Sequence, residues 1–117
     1  MGRFSTALQR LACDAGTGSG AASNVQSTIL GLEGDGYAQM KKLGDAAKKY
    51  EAAAAATSFE TEKAALRAKA ARAYQQAGDT AAAHKLWSAL ATDPTAITVS
   101  AEARVRLGEL TAQTAKR

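Results

Sequence analysis

The chain has 117 residues, a formal net charge of +4, a pI near 9.4 and one cysteine. This length fits one domain or a part of one, the single cysteine excludes an internal disulfide, and no apolar run is long enough to span a membrane. Alanine supplies 30 residues, whereas aromatic residues make up only 5% of the chain. We therefore expect helices that pack closely around a core with few large side chains.

The first predicted helix covers residues 4–14 and places Phe4, Leu8 and Leu11 on one face. The glycine-rich residues 16–20 follow as a loop. We therefore separate residues 1–20, which look like the remnant of a preceding repeat, from a helical domain over residues 21–117. The N-terminus has no continuous apolar segment, so it does not predict a signal peptide.

The next predicted helix runs from residue 21 to about 42 and contains Gly31, Gly34 and Gly36. Each interior glycine costs roughly 1 kcal/mol of helix stability relative to alanine. Two interpretations stay open: the helix is kinked or broken, or Gly34 lies where a partner helix approaches most closely. A turn at Gly44-Asp45 then leads into a helix over residues 45–57.

Two further helices, over residues 60–77 and 80–92, form the clearest hairpin of the chain. Thr57 and Glu60 fit a capping box before the first of them. Gly78 can end that helix in the left-handed conformation, and Asp79 can cap the next one. So short a turn makes the two helices antiparallel. We expect Trp87 to be the largest side chain of the core.

The last predicted helix covers residues 100–115, after Asp93-Pro94 ends the one before it. Residues 95–99 serve as the crossing segment. One face carries the apolar residues Val99, Ala103, Leu107 and Leu110. Arg104 and Arg106 lead us to expect that the helix is otherwise exposed to solvent.

A shift of 37 residues aligns the chain with itself. Tyr37 falls on Tyr74, and Tyr50 falls on Trp87. With a second shift of 37 residues, Ile29 falls on Leu66 and then on Ala103. In the same way, Gly34 falls on Ala71 and then on Gly108. A fixed period of this size is typical of stacked helical repeats.

The pattern of Tyr74, Gly78, Ala83, Trp87 and Pro94 resembles the tetratricopeptide repeat, and residues 71–110 are most similar to the repeats of bacterial cell-envelope scaffold proteins. The resemblance covers about residues 21–110. It implies an all-α fold of antiparallel hairpins stacked as a short superhelix, or α-solenoid. This fold would contain about two repeats, a C-terminal capping helix and a short N-terminal helix.

The resemblance departs from the family pattern in the unit of residues 28–57. Lys41 and Lys42 stand where the family has its turn, and Gly44-Asp45 comes three residues later. The position of the first turn therefore stays open by nearly one helical turn. The resemblance also implies a location in the bacterial cell envelope if an export signal has been removed from the chain, and a cytoplasmic location otherwise.

In this family the first helices of successive repeats line a concave groove that binds peptides or partner helices. The resemblance therefore implies a non-catalytic protein–protein interaction scaffold. The groove positions that it implies are Thr28, Gly31, Asp35, Ala38, Ala65, Ala68, Arg72, Gln75, Glu102, Val105 and Glu109, of which we predict Thr28, Asp35, Arg72, Gln75, Glu102 and Glu109 to bind the partner. Two hairpins are fewer than the three or so repeats of a stable stack, which predicts a longer array or packing against a partner or against itself.

The densest basic patch consists of Lys41, Lys42, Lys48 and Lys49. It is either a solvated face or a contact for an acidic partner or for nucleic acid phosphates. No aromatic residues for base stacking are interleaved with the lysines, which argues against sequence-specific RNA recognition. The alternative function is a small basic accessory domain that binds nucleic acid phosphates.

No set of residues predicts an enzyme, a metal site or a cofactor site. His84 has no second ligand at the i+3 or i+4 position, and Cys13 has no histidine or second cysteine near it. The glycines of residues 31–36 fit neither phosphate-loop pattern. We therefore predict a protein without catalytic activity.

Overall fold

The computed structural model of the protein describes residues 19–115. Within that range it is all-α, as predicted, with five helices and no β-strand. The helices are α1 (Ser19–Gln39), α2 (Leu43–Ala56), α3 (Glu60–Ala77), α4 (Thr80–Thr92) and α5 (Ile97–Ala115). Each packs against the next. The predicted helix over residues 4–14, Cys13 and most of the glycine-rich loop lie outside the described residues.

Helix α1 is continuous through Gly31, Gly34 and Gly36, so the alternative of a broken helix is wrong. Gly34 lies where α2 comes closest, because a Cβ atom added to it would be 2.8 Å from Cε1 of Tyr50. Earlier in α1, the Ser27 hydroxyl donates to the Ala53 carbonyl at 2.7 Å. The contacts run in opposite order along the two helices, so α1 and α2 are antiparallel.

The structure decides the position of the turn between α1 and α2, which the sequence leaves open. The turn lies at residues 40–42, and Lys41 has a φ of 64°. Gly44 and Asp45 belong to the first turn of α2, where the carboxylate faces the positive end of the helix dipole. The change of direction is therefore at Lys41 and Lys42 and not at Gly44-Asp45, and α2 begins at Leu43 rather than at residue 45.

The two hairpin turns have the same backbone structure 37 residues apart. Lys41 N–H donates to the Ala38 carbonyl and Lys42 N–H to the Tyr37 carbonyl. One period later, Gly78 N–H donates to the Gln75 carbonyl and Asp79 N–H to the Tyr74 carbonyl. Both turns are Schellman motifs around a left-handed residue, Lys41 in one and Gly78 in the other.

The caps of the central hairpin are partly as predicted. Gly78 ends α3 with a φ of 88°, and the Asp79 carboxylate accepts from Ala82 N–H at 3.2 Å. The capping box of Thr57 and Glu60 is wrong, because α3 begins after Phe59. The Thr57 hydroxyl donates to Glu62 at 3.0 Å and accepts from Phe59 N–H at 3.2 Å, so it orders the segment before the helix.

Helix α5 begins at Ile97 rather than at residue 100. The Asp93 carboxylate accepts from the backbone N–H and the hydroxyl of Thr95, which shapes a tight turn after α4. The buried Ala96 follows, and its carbonyl accepts from Val99 and Ser100 N–H. The segment of residues 95–99, predicted as a crossing, is therefore mostly the first turn of the helix.

The core is centred on Trp87, whose side chain is fully buried. Its indole N–H donates to the Gln75 side chain at 3.2 Å, which satisfies its polar atom. The prediction that Trp87 is a core residue is confirmed. Most of the other buried residues are alanines, so the helices approach closely. The described part of the chain is elongated and measures 51 × 32 × 16 Å.

Candidate binding surface

Helices α1 and α3 lie side by side and run in the same direction. Asn24 accepts from Ser58 N–H at 2.9 Å, just before α3 begins. Further along, a Cβ atom on Gly31 would be 3.8 Å from Leu66, and Lys69 lies 3.8 Å from the Asp35 carboxylate. Because residue numbers rise together along both helices, the two are parallel.

Helices α3 and α5 are joined by a bidentate ion pair. The guanidinium of Arg72 donates to both carboxylate oxygens of Glu102, at 2.9 and 2.8 Å. Arg106, one turn along α5, lies 3.6 Å from the same carboxylate. Helices α1, α3 and α5 therefore form one side of the molecule, and this side contains two clefts.

The first cleft lies between α1 and α3 and has a volume of about 250 Å³. Its apolar lining comes from the exposed Ala65 and the half-buried Leu66. Helix α3 also contributes a carboxylate and an ammonium group. The lining residues are Ser27, Thr28, Glu62, Ala65, Leu66 and Lys69.

The second cleft lies between α3 and α5, next to the start of α4, and has a volume of about 280 Å³. It is more polar than the first, because two guanidinium groups, three side-chain amides and one hydroxyl line it. The lining residues are Arg72, Gln75, Gln76, Thr80, Arg106 and Gln113.

The six residues predicted to bind a partner lie on this side, but most of them also bind other parts of the chain. Thr28 is exposed in the first cleft, and its hydroxyl donates to the Asn24 carbonyl. Gln75 lines the second cleft while it accepts from Trp87. Arg72 and Glu102 pair with each other.

The two remaining predicted carboxylates also have partners. Asp35 accepts a short hydrogen bond from the Tyr50 hydroxyl, and Glu109 lies 3.3 Å from Arg106. Ala68, which the family resemblance placed in the groove, is fully buried, so that assignment is wrong.

The ion pair between α3 and α5 shifts the protonation of both its members. The hydrogen bonds from Arg72 hold the pKa of the Glu102 carboxyl below its ordinary value. The same hydrogen bonds raise the pKa of Arg72. Both groups are therefore charged at neutral pH, and the pair holds the two helices together while it lines the second cleft.

Tyrosine 50 connects the first hairpin with α3. Burial raises the pKa of the Tyr50 phenol, and the hydrogen bond to Asp35 raises it further. The ammonium group of Lys69 lies 5.5 Å from the centre of the ring and also pairs with Asp35. This is a cation–π contact that fixes the edge of the first cleft.

Three of the four lysines of the basic patch are exposed, and the fourth is half-buried in an ion pair. Lys49 is half-buried and lies 3.0 Å from the Glu33 carboxylate. Lys41 and Lys42 are exposed in the turn, and Lys48 is exposed on α2. Because the chain turns at residues 40–42, the lysines are not spaced along a single continuous helix.

Sequence reasoning missed several residues of the clefts, among them Lys69, Gln76, Thr80 and Gln113. For Arg106 the sequence predicts only exposure to solvent. The sequence contains one signal for Lys69 and Gln76: they lie four residues from Ala65 and Arg72 respectively, and residues at this spacing share a helix face.

The residues that the structure describes hold no cluster of three or more histidine, cysteine, aspartate or glutamate side chains that could bind a metal ion. His84 is exposed, and Nδ1 of its ring lies 3.5 Å from the Ser88 hydroxyl. None of the five helices is both long and apolar enough to cross a membrane. Comparison of the chain with protein-family models, with curated protein sequences and with solved structures finds no match.

Proposed function

We propose that this chain is a non-catalytic protein–protein interaction scaffold, built as a short α-solenoid of the tetratricopeptide type. Two hairpins, α1–α2 and α3–α4, are its repeats, and α5 is the first helix of a third unit. The matching turns at Lys41 and Gly78, with the same hydrogen bonds 37 residues apart, support this architecture. Stacked repeats of this kind present an extended concave surface to their partners.

The observation that carries the proposal is the pair of clefts along α1, α3 and α5. Helix α3 contributes residues to both clefts, so they adjoin and can accept one continuous ligand. The first cleft offers the small Ala65 beside Leu66, whereas the second offers Arg72 and Arg106. We propose that the ligand is an amphipathic helix that places apolar residues in the first cleft and acidic or amide residues in the second.

The test is affinity capture from lysate of the source cells with Ala65→Glu as the informative variant. Ala65 is exposed and lines the first cleft, so a glutamate there blocks close docking without filling the core. The matched control is Ala89→Glu, at an exposed position of α4. Each new glutamate lies four residues from a lysine, Lys69 or Lys85, so both variants place the added charge near a cation of their own helix.

We expect a defined protein that resists nuclease and a high-salt wash, that is lost with Ala65→Glu and that is kept with Ala89→Glu. Equal capture by both variants would contradict docking in the clefts. The alternative is that the captured material is lost with nuclease or salt and that its capture depends on Lys41, Lys42 and Lys48. This result would favour the basic accessory domain, because phosphate binding weakens steeply with salt.

A further inference from the structure

The side of α5 that points away from the core is apolar. We call it the α5 end face: Ile97, Ala101, Val105, Gly108 and Ala112. All five residues are exposed, and the two largest, Ile97 and Val105, are 79% and 61% exposed. A helix that is apolar on two opposite sides is normally buried on both. This side of the helix is exposed to solvent, as predicted, but it is apolar where Arg104 beside it is charged.

The same face is buried in α3, one period earlier. Ala101, Val105 and Gly108 correspond to Ala64, Ala68 and Ala71 after a shift of 37 residues. These three alanines are at most 2% exposed. Their stripe continues to Gln75, which accepts from Trp87 of α4. In the second unit, the following helix therefore meets this face at Gln75.

The same face is also covered in α1, two periods earlier. Ser27 and Gly34, which correspond to Ala101 and Gly108, are buried against α2. The ring of Tyr50 lies on Gly34, where any Cβ atom would collide with it. The molecule thus contains two examples of a helix that meets this surface, and each has a central aromatic residue.

The polar edge of the α5 end face identifies that aromatic residue more closely. Gly34 is followed by Asp35, which accepts from the Tyr50 hydroxyl, and Gly108 is followed by Glu109. A Cβ atom on Gly108 would have no neighbour within 4 Å, so the space above it is open. The Glu109 carboxylate is 46% exposed and can accept a further hydrogen bond beside Arg106.

We propose that the α5 end face is a docking site for an alanine-rich amphipathic helix with a central tyrosine, supplied by a partner protein. The tyrosine ring packs on Gly108, and its hydroxyl donates to Glu109. Ala101 and Ala112 let the partner backbone come close, while Ile97 and Val105 gain burial. The site rests on the 37-residue repetition, and its five apolar residues line neither cleft. Only Glu109, at its polar edge, also contacts a cleft residue, Arg106.

The probe is a synthetic peptide with the sequence of residues 43–57, acetylated and amidated at its ends. An isolated peptide of this length is only marginally helical in water even when it is rich in alanine, so it gains much of its helix on binding. The full chain, labelled with ¹⁵N, is titrated with this peptide and with its Tyr50→Ala and Tyr50→Phe forms. The protein variant is Gly108→Glu, which has room for its side chain, lies four residues from Arg104 and places a charge where the ring would pack.

We expect saturable shifts in the backbone signals of Ala101, Val105 and Gly108. We also expect binding at least about tenfold weaker with the Tyr50→Ala peptide, because a central aromatic anchor carries much of the affinity of such an interface. The Tyr50→Phe peptide should bind with intermediate affinity, and Gly108→Glu should abolish the shifts while its helical circular dichroism spectrum stays unchanged.

Three results would overturn the proposal. One is the absence of shifts at millimolar peptide. Another is broadening of α5 signals that depends only on protein concentration, which would assign the face to a second copy of the chain. The third is a set of shifts confined to Thr28 and Ala65, which would support docking in the clefts and reject the α5 end face. Conversely, shifts at α5 together with equal capture by the Ala65→Glu and Ala89→Glu variants would support this site and contradict the cleft proposal.

Discussion

Gly34 and Gly36 lie two residues apart in the same helix but in opposite surroundings. The position of a Cβ atom on Gly34 is already occupied by the ring of Tyr50, whereas a Cβ atom on Gly36 would have no neighbour within 4 Å. The Tyr50 ring cannot easily move away, since it is buried and its hydroxyl is bound to Asp35. Close packing therefore requires a glycine at position 34 but not at position 36.

We expect Gly34→Ala to destabilise the protein and Gly36→Ala to stabilise it. Alanine improves helix propensity by about 1 kcal/mol at either site. At position 34 the collision with Tyr50 costs about 1–3 kcal/mol and outweighs that gain. Urea unfolding should separate the two variants by about 2 kcal/mol in free energy of unfolding. Equal stabilisation of both would show that α1 and α2 are not in close contact at Gly34.

The second prediction at this scale concerns the pH dependence of Tyr74. Burial raises the pKa of the Tyr74 phenol to about 12, and so does its hydrogen bond to Glu51, at 2.8 Å. The folded-state pKa is above the unfolded value, so this stabilisation is complete below about pH 10 and is lost as the pH rises through about 12. We expect Glu51→Gln to move the titration of Tyr74 to lower pH.

The measurement is the ultraviolet absorbance of tyrosinate, taken as the difference between the wild-type chain and Tyr74→Phe. The control is Glu60→Gln, because Glu60 is exposed at the start of α3 and pairs only with Lys63 at 3.8 Å. A Tyr74 titration that Glu51→Gln leaves in place would exclude the contact between α2 and α3 as the cause of the shift.

At the scale of elements, the sequence predicts helices better than it predicts where they turn. Gly78-Asp79 was found because glycine and aspartate favour their positions there. The turn at Lys41 stays open in the sequence between this position and Gly44-Asp45, because lysine has no preference for the left-handed conformation. Packing of Gly34 on Tyr50 fixes the geometry of that hairpin. The sequence signal for a turn at Lys41 is its alignment with Gly78 after a shift of 37 residues.

The α3–α4 hairpin depends on Trp87 more than on any other side chain. We expect Trp87→Ala to lower the free energy of unfolding by about 3–5 kcal/mol, because the surrounding alanines are too small to fill the cavity. Trp87→Phe should cost less, since it keeps most of the buried apolar area and loses the hydrogen bond to Gln75.

Urea unfolding followed by circular dichroism checks both Trp87 variants. The matched control is Leu86→Ala, which truncates the neighbouring, half-buried side chain of the same helix. We expect it to cost clearly less than Trp87→Ala. If the two alanine variants were equally stable, the core of the hairpin would not be centred on Trp87.

At the scale of the whole molecule, sequence reasoning identified the side that contains the clefts but not its contacts. Arg72 and Glu102 were both predicted to bind a partner, yet they bind each other across 30 residues of sequence. Their pairing depends on the distance between α3 and α5, which composition and spacing do not determine. The same holds for Asp35 and Tyr50, which meet only because α1 and α2 pack closely at Gly34.

The pairing of Arg72 with Glu102 predicts how α5 is coupled to the rest of the molecule. Both side chains are partly exposed, at 40% and 31%, so solvent screens the pair and we expect a coupling energy of only about 1 kcal/mol. The folded-state pKa of Glu102 is lowered, so its contribution is present above the unfolded pKa and is lost as the pH falls through the folded pKa. The coupling should therefore be present at neutral pH and decline below about pH 4.

A double-mutant cycle with Arg72→Gln and Glu102→Gln, repeated at neutral and acid pH, measures this coupling. The matched cycle uses Lys63→Gln and Glu60→Gln, a pair within a single helix, for which we expect only about 0.2–0.5 kcal/mol. Backbone hydrogen exchange should accelerate in α5 before it does in α3 when Arg72 is replaced, because this pair links the last helix to the hairpin. A coupling that is no larger than the control, or that grows with acid, would mean that α5 is held by its apolar contacts alone.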